Sequence, residues 1–160
     1  MIHDQIEAFI ADLPRAGAIA GLDLGTKTVG VAVSDGLRGI ATPLLTIRRT
    51  KFTEDAAKLQ EIVKGRGLVG LVLGLPRNMD GTEGPRAQST RAFARNLSAL
   101  IPLPIGFWDE RLSTVAAERA LIEADTSRKR RAEVIDHVAA GYILQGVLDR
   151  MAWLQREERS

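Results

Sequence analysis

Three acidic residues stand where a soluble fold does not ordinarily put them. Asp23 interrupts the apolar run Ala18-Ile19-Ala20-Gly21-Leu22-Asp23-Leu24, which has the character of a strand. A lone carboxylate buried there costs several kcal/mol. Asp23 therefore points outward, takes hydrogen bonds from the Gly25 to Thr28 turn, or serves chemistry. Glu110 ends the run Ile105-Gly106-Phe107-Trp108-Asp109 and is followed at once by Arg111. On its own, Glu110 reads as a surface acid paired with an arginine. Asp109 falls on the other face of that strand and suits a structural or capping role. Asp136 has Ala139, Ala140, Ile143 and Val147 at its i+3, i+4, i+7 and i+11 positions, so it lies in the apolar row of a helix. Capping could explain an Asp near a helix start. A carboxylate facing a sheet beside two small alanines fits better with something that binds carboxylates, and the alanines would let the helix come close.

Three acids from three separated elements can meet at the open end of a sheet. Gathered carboxylates raise one another's pKa unless a cation neutralises them. The chain has no Cys and no His pair at metal-binding spacing, so hard oxygen ligands point to Mg²⁺ or Mn²⁺ rather than zinc. His137 adjoins Asp136, yet it and His3 read as ordinary surface or packing residues.

The elements that would position these acids can be read from patterning. Residues 18–24 and 29–34 form two strands around a short turn, Gly25-Thr26-Lys27-Thr28, and a third extended run covers 40–47. Thr53 can cap a helix whose first turn carries Glu54 and Asp55 and which stops at Gly65 and Gly67. The run 68–75 is almost wholly apolar, as in a strand buried on both faces, and Pro76 ends it. A loop rich in Gly, Arg and Asn spans 77–84, and Pro85 starts a helix to about Leu100. A short strand, 104–109, precedes a helix from Ser113 through Ile122. A polar basic loop at 125–131 then leads into a long final helix, 132–154, and a frayed tail, 155–160. The apolar positions Ile2, Ile6, Phe9, Ile10 and Leu13 follow a helical period, so residues 1–17 read as an N-terminal helical extension. Together these predict one α/β domain over 1–160. Its mixed five-stranded sheet has the first three strands antiparallel and helices on both faces.

Composition narrows the class. The 160 residues are 45% apolar and 26% charged, which excludes disorder and low complexity. Net charge is only +2, but arginine, whose planar fork suits phosphate, supplies 17 of the 22 cations. The absence of Cys fits a reducing compartment. The first 13 residues carry Asp4, Glu7 and Asp12, unlike a secretory signal, and no stretch has the length of a membrane span. The expectation is a cytoplasmic protein with no membrane partner.

Four segments, taken in order, resemble the YqgF/RuvX family. Gly21-Leu22-Asp23-Leu24-Gly25-Thr26-Lys27 with Gly30-Val31-Ala32-Val33-Ser34-Asp35 looks like its opening hairpin. The run from Gly74 to Gln88 is similar to its middle signature. Asp109-Glu110-Arg111-Leu112-Ser113-Thr114 and Ile135-Asp136-His137-Val138-Ala139-Ala140 are similar to its last two blocks. The resemblance covers roughly 18–150 and implies a ribonuclease H-like fold related to RuvC junction resolvases. It places Asp23, Glu110 and Asp136 on the family's acidic positions as catalytic residues and metal ligands. RuvC-type sites carry a fourth acid near the third; here the helix offers Glu133 one turn before Asp136. The function implied is a nuclease processing the 5′ end of pre-16S ribosomal RNA. Resolution of Holliday junctions, a branched DNA substrate, is the alternative. Asp23 would then bridge two metal ions, with Glu110 and Asp136 each completing one shell.

Candidate contacts to a nucleic-acid backbone follow from charge and position. Lys27 sits in the turn after the first strand, and Arg77, Asn78 and Arg86 lie in or beside the Gly-rich loop, next to a helix start. Arg111 follows Glu110, and the run Arg128-Lys129-Arg130-Arg131 precedes Asp136. With seven aromatic residues, and Trp108 and Trp153 read as core, recognition should lean on backbone and shape. A non-catalytic RNA-binding assembly factor would instead bind RNA without the three acids. Junction resolution would need a two-fold dimer, and no dimer surface is legible, so monomer and homodimer stay open. The Asp23-Leu24-Gly25-Thr26-Lys27 turn also looks like the first phosphate loop of actin-like ATPases, which close two such domains around a nucleotide. Calorimetric titration with ATP is expected to show no binding; a saturable heat would favour the ATPase reading.

Overall fold

The computed structural model describes residues 1–112 and 128–159, with the side chains of the last helix described from residue 137 onward. Strand β1 is Ile2–His3 and helix α1 is Ile6–Asp12. They are followed by β2 (Ile19–Leu24), β3 (Thr28–Ser34) and β4 (Ala41–Arg48). Next come α2 (Phe52–Arg66), β5 (Gly70–Leu75), α3 (Pro85–Leu100) and β6 (Ile105–Asp109). A 3-10 turn, Glu110–Leu112, and the long helix α4, Arg128–Arg159, complete the described chain. The helix expected over 113–122 lies outside the described residues.

The six strands form one sheet in the order β1-β6-β5-β2-β3-β4. The β2–β3 and β3–β4 pairs are antiparallel, whereas β2–β5, β5–β6 and β1–β6 are parallel. The mixed α/β architecture and its antiparallel opening are those expected, but the described residues form six strands instead of five. The extra strand is a two-residue edge pairing, Ile2 with Ile105 and His3 with Gly106. Two residues are too few to generate an alternation, so Ile2 blended into the helical period that follows. The N-terminal segment is part of the domain: Phe9 is fully buried, and its ring lies where Gly106 would otherwise carry a Cβ, 2.6 Å away.

Two further boundaries move for local reasons. Thr53 does not cap α2; the helix begins one residue earlier, after Lys51. Instead, the buried Asp55 accepts hydrogen bonds from the Thr50 backbone N–H at 3.1 Å and its hydroxyl at 3.4 Å. The helix also passes through Gly65 and stops at Gly67, whose φ of 61° is the left-handed conformation favoured at a helix end. At the other end of the chain, α4 starts at Arg128 and continues to Arg159. The basic run therefore begins this helix, and the tail expected to fray is helical.

Strand parity decides what each face meets. Ala20, Leu22 and Leu24 join the cluster containing Leu59 of α2 and Phe93 and Leu97 of α3. Ile19, with Ala32 and Val72, joins the opposite cluster, formed with Phe9 of α1 and Ala140, Ile143 and Leu144 of α4. Asp23 shares parity with Ile19 and so belongs to the α4 face. Glycines let α4 come close there. A Cβ at Gly21 would lie 2.8 Å from Leu144 Cβ and 3.0 Å from the Ala140 carbonyl oxygen. Among the described residues, no helix is long and apolar enough to cross a membrane. Gly21→Ala meets helix backbone, which cannot swing aside, and should cost about 1–3 kcal/mol by overpacking. A thermal melt is expected to show a Tm lower by several degrees.

Candidate active site

The parallel strands β2, β5 and β6 end at the same edge of the sheet, where ligands of open α/β sheets gather. The register pairs Leu22 with Leu73, so the next residue, Asp23, lies beside Gly74. On its other side Asp23 pairs with Gly30. The carboxylate is only 4% exposed and has a glycine on each flanking strand. Glu110 enters from the turn after β6. Its Oε1 lies 3.1 Å from the Cβ position that Gly74 leaves empty, a position that also meets Ile143 of α4. Glu110 thus reaches over β5 on the face to which Asp23 belongs. Two of the three acids, far apart in sequence, come together around Gly74.

Asp136 lies on α4 one helical turn before Ala140, the residue packed over Gly21. Its side chain is outside those described, as are those of Glu133 and of Arg128, Lys129, Arg130 and Arg131. Among the described residues, no three His, Asp or Glu side chains form a metal-binding group. His137 Nδ1 lies 2.9 Å from Thr46 Oγ1, joining α4 to β4, and His3 Nε2 lies 2.9 Å from Asp12 Oδ2. Both histidines have packing roles, as their surroundings in the sequence suggested.

The cations divide into two sets. Lys27 is exposed at the tip of the β2–β3 turn, and Arg86 is exposed in the first turn of α3 with Nη2 donating to the Leu24 carbonyl at 3.4 Å. Arg77 and Arg111 are occupied within the protein. Arg111 donates from its backbone N–H to Asp109 Oδ1 at 3.0 Å and from Nη2 to Oδ2 at 2.7 Å. Arg77 lies 3.5 Å from Asp109 and 3.3 Å from Glu83. Asp109 is thereby the structural acid expected, held below the usual carboxylate range first by Arg111 and further by Arg77. Asn78 is exposed, with its Nδ2 donating to Thr82 Oγ1 at 2.9 Å. Asp80 accepts both the Thr82 backbone N–H at 3.0 Å and its hydroxyl at 2.6 Å. The Gly-rich loop is thus a tied turn around Gly81, whose φ is 89°.

Two arginines escaped the sequence reading. Arg91 grips Glu83 with Nε at 2.6 Å and Nη2 at 2.7 Å, donates to Asp4 at 2.7 Å, and sits 5.0 Å over the Phe107 ring. Arg49 donates Nη1 to the Gly25 carbonyl at 2.7 Å. Neither has a local pattern that could reveal it, because its partners lie on other elements. Trp108 is core, as expected, but Trp153 is 43% exposed and lies under the Arg150 guanidinium at 4.5 Å. Met151 of α4 is buried, and Trp153, two residues on, falls on the opposite, uncovered side of the helix.

This sheet, with buried acid at its carboxyl edge, is the ribonuclease H-like fold of the RuvC resolvases. Thermus thermophilus RuvC in complex with a Holliday junction superposes with TM-score 0.54 at 11% identity, covering 85% of this chain and 96% of that one. The yeast mitochondrial Holliday junction resolvase gives TM-score 0.55 at 12% identity, covering 94% and 86%. The chain belongs to the RuvX family: the model described as "RuvX: Holliday junction resolvase" matches residues 17–150. A relative from Cereibacter sphaeroides is 84% identical over 98% of both chains. One from Paracoccus denitrificans is 77% identical, covering 99% of this chain and all of that one. Both carry the name "Putative pre-16S rRNA nuclease".

The Arg91 contact holds the Glu83 carboxylate below its ordinary value, with Arg77 adding to it. A lowered carboxylate stabilises the fold above the unfolded value, about pH 4.3 for Glu, and this contribution is lost as pH falls through the folded value. Glu83→Gln should lower Tm near neutrality, and its deficit against wild type should shrink as pH is taken from about 6 to about 3. Melting curves across that range check the sign.

Proposed function

We propose that this protein is a metal-dependent nuclease that hydrolyses phosphodiester bonds and trims the 5′ end of pre-16S ribosomal RNA in the cytoplasm. The observation that carries this reading is the Asp23 carboxylate, 4% exposed between two glycine-bearing strands, with the Glu110 carboxylate brought over Gly74 beside it. Carboxylates gathered at one edge raise one another's pKa, and a bound divalent cation would neutralise them. The donors are hard oxygens, which fits Mg²⁺ or Mn²⁺. Asp23, Glu110 and Asp136 would hold the metal. When bound, a divalent ion polarises a phosphoryl oxygen and makes water nucleophilic at neutral pH.

The remaining work falls to the chain's own groups. Gly74 leaves the place that Glu110 and Ile143 occupy, which lets the Glu110 carboxylate lie over the strand beside Asp23. Lys27 and Arg86, exposed on either side of this edge, would bind the substrate backbone. Arg77 and Arg111 act indirectly, fixing Asp109 and hence the start of the turn that presents Glu110. The RNA reading rests on the names of relatives covering nearly the whole chain, whereas the likeness to the resolvases is one of fold.

With Mg²⁺ and an RNA fragment carrying a 5′ extension of the 16S sequence, Asp23→Asn should cut at least roughly 100-fold more slowly than wild type. Unchanged cleavage would remove Asp23 from the mechanism. A four-way DNA junction assayed in parallel separates the substrates, and preferential symmetric cutting of the junction would overturn the RNA assignment. In EDTA, Asp136→Asn should leave Tm equal or raised, because it relieves repulsion among the acids. A clear fall would make Asp136 a structural hydrogen-bonding group.

A further inference from the structure

Two residues beyond Asp23, the chain enters the turn at Gly25, and a cavity of about 190 Å³ opens beside it. Its polar lining comes from three elements: Thr26 of the turn, Arg49 after β4, and Arg86 and Ser89 of α3. The two guanidiniums hold consecutive backbone oxygens at the end of β2. Arg49 Nη1 donates to Gly25 O at 2.7 Å, and Arg86 Nη2 donates to Leu24 O at 3.4 Å. A guanidinium has five N–H donors, so several on each remain for a ligand. Arg49 is further fixed by the Phe93 ring, 5.6 Å below its guanidinium carbon. Among the described residues, no carboxylate lines the cavity. Two like charges gathered around one space, with hydroxyls on its rim and no lining acid, favour an anion of tetrahedral oxygens.

We propose that this cavity, at the end of the strand that carries Asp23 but on the α3 side of the sheet, binds a non-scissile phosphate of the nucleic-acid strand, with Arg49 and Arg86 as its ligands. The inference rests on the nuclease reading and adds a specificity subsite to it. A strand gripped there enters the metal-binding edge from a fixed side, which sets the cut position relative to the bound phosphate. The Arg49 and Arg86 contacts to Leu24 O and Gly25 O link that grip directly to the strand carrying Asp23.

The test measures binding of a short fluorescein-labelled single-stranded RNA by anisotropy in EDTA, so that cleavage plays no part. Arg49→Gln and Arg86→Gln should each weaken binding roughly 5- to 20-fold. Each should also reduce the slope of log K against log salt by about 0.7. Ser89→Glu puts a negative charge on the exposed rim and should weaken binding with no change in Tm, which separates loss of the pocket from loss of fold. Replacing single linkages of the probe by neutral methylphosphonates should reveal one position that matters to wild type and not to Arg86→Gln. Identical affinities and salt slopes in Arg86→Gln and Ser89→Glu, or the same methylphosphonate profile in wild type and Arg86→Gln, would overturn the proposal. Stabilisation by inorganic phosphate with RNA affinity indifferent to all three variants would overturn it too, leaving a small-anion site. Failure of the nuclease reading looks different: wild type cuts neither RNA nor junction DNA, while RNA binding still depends on Arg49 and Arg86.

Discussion

A carboxylate taken out of water loses hydration worth several kcal/mol, and the carboxyl edge of this sheet is arranged around one, Asp23. It stands on a central strand between β5 and β3, where neighbours of ordinary size would close over it. Glycine stands on both flanks, and at Gly74 the missing side chain admits Glu110 and Ile143. The same requirement for small residues extends along the strand, since Gly21 lets α4 approach until its Ala140 carbonyl and Leu144 side chain touch the sheet. The long helix is therefore seated by the absence of side chains beneath it, and its seating determines where residue 136 falls. Burial of one acid, the glycine pattern and the position of the last helix are a single constraint.

Around this edge the charged residues are sorted by what they touch. Arg91, Glu83, Arg77, Asp109 and Arg111 form a connected series that ties the Gly-rich loop to the end of β6, and through Asp4 to the N-terminal segment. Such a network has little value for stability when each pair is exposed. Here Arg77, Glu83, Arg91 and Asp109 are partly buried and share partners, with Arg111 and Asp4 exposed at the two ends of the series. Lys27, Arg86 and Arg49 have carbonyls or solvent as neighbours instead, and their charge remains available to an anion. A count of arginines could not separate these sets.

The architecture was largely legible. The nearly continuous apolar run before Pro76, the tight turn at Gly25 to Thr28 and the Pro85 helix start each carry a local cause and appear where that cause put them. Errors fell where the cause was not local. The β1 pairing depends on β6, a hundred residues away. Thr53 had the right chemistry for a cap, but Asp55 could reach back to Thr50 and supplied the contact. Trp153 had a core residue's type without a neighbour to cover it. Arg91 and Arg49 carried no signal, because their meaning lies in Glu83, Asp4 and Gly25.

The sequence by itself determined that Asp23 was anomalous, since an acid within an apolar strand conflicts with the solvation of its neighbours whatever the tertiary arrangement. It also determined the family, through four segments in order. Only the tertiary structure decided that Glu110 reaches Gly74 on the strand beside Asp23, that Arg77 and Arg111 both pair with Asp109, and that Arg49 and Arg86 line one cavity beside the end of β2. Strand register and helix seating set those meetings, and both are fixed by contacts between residues that the chain keeps far apart.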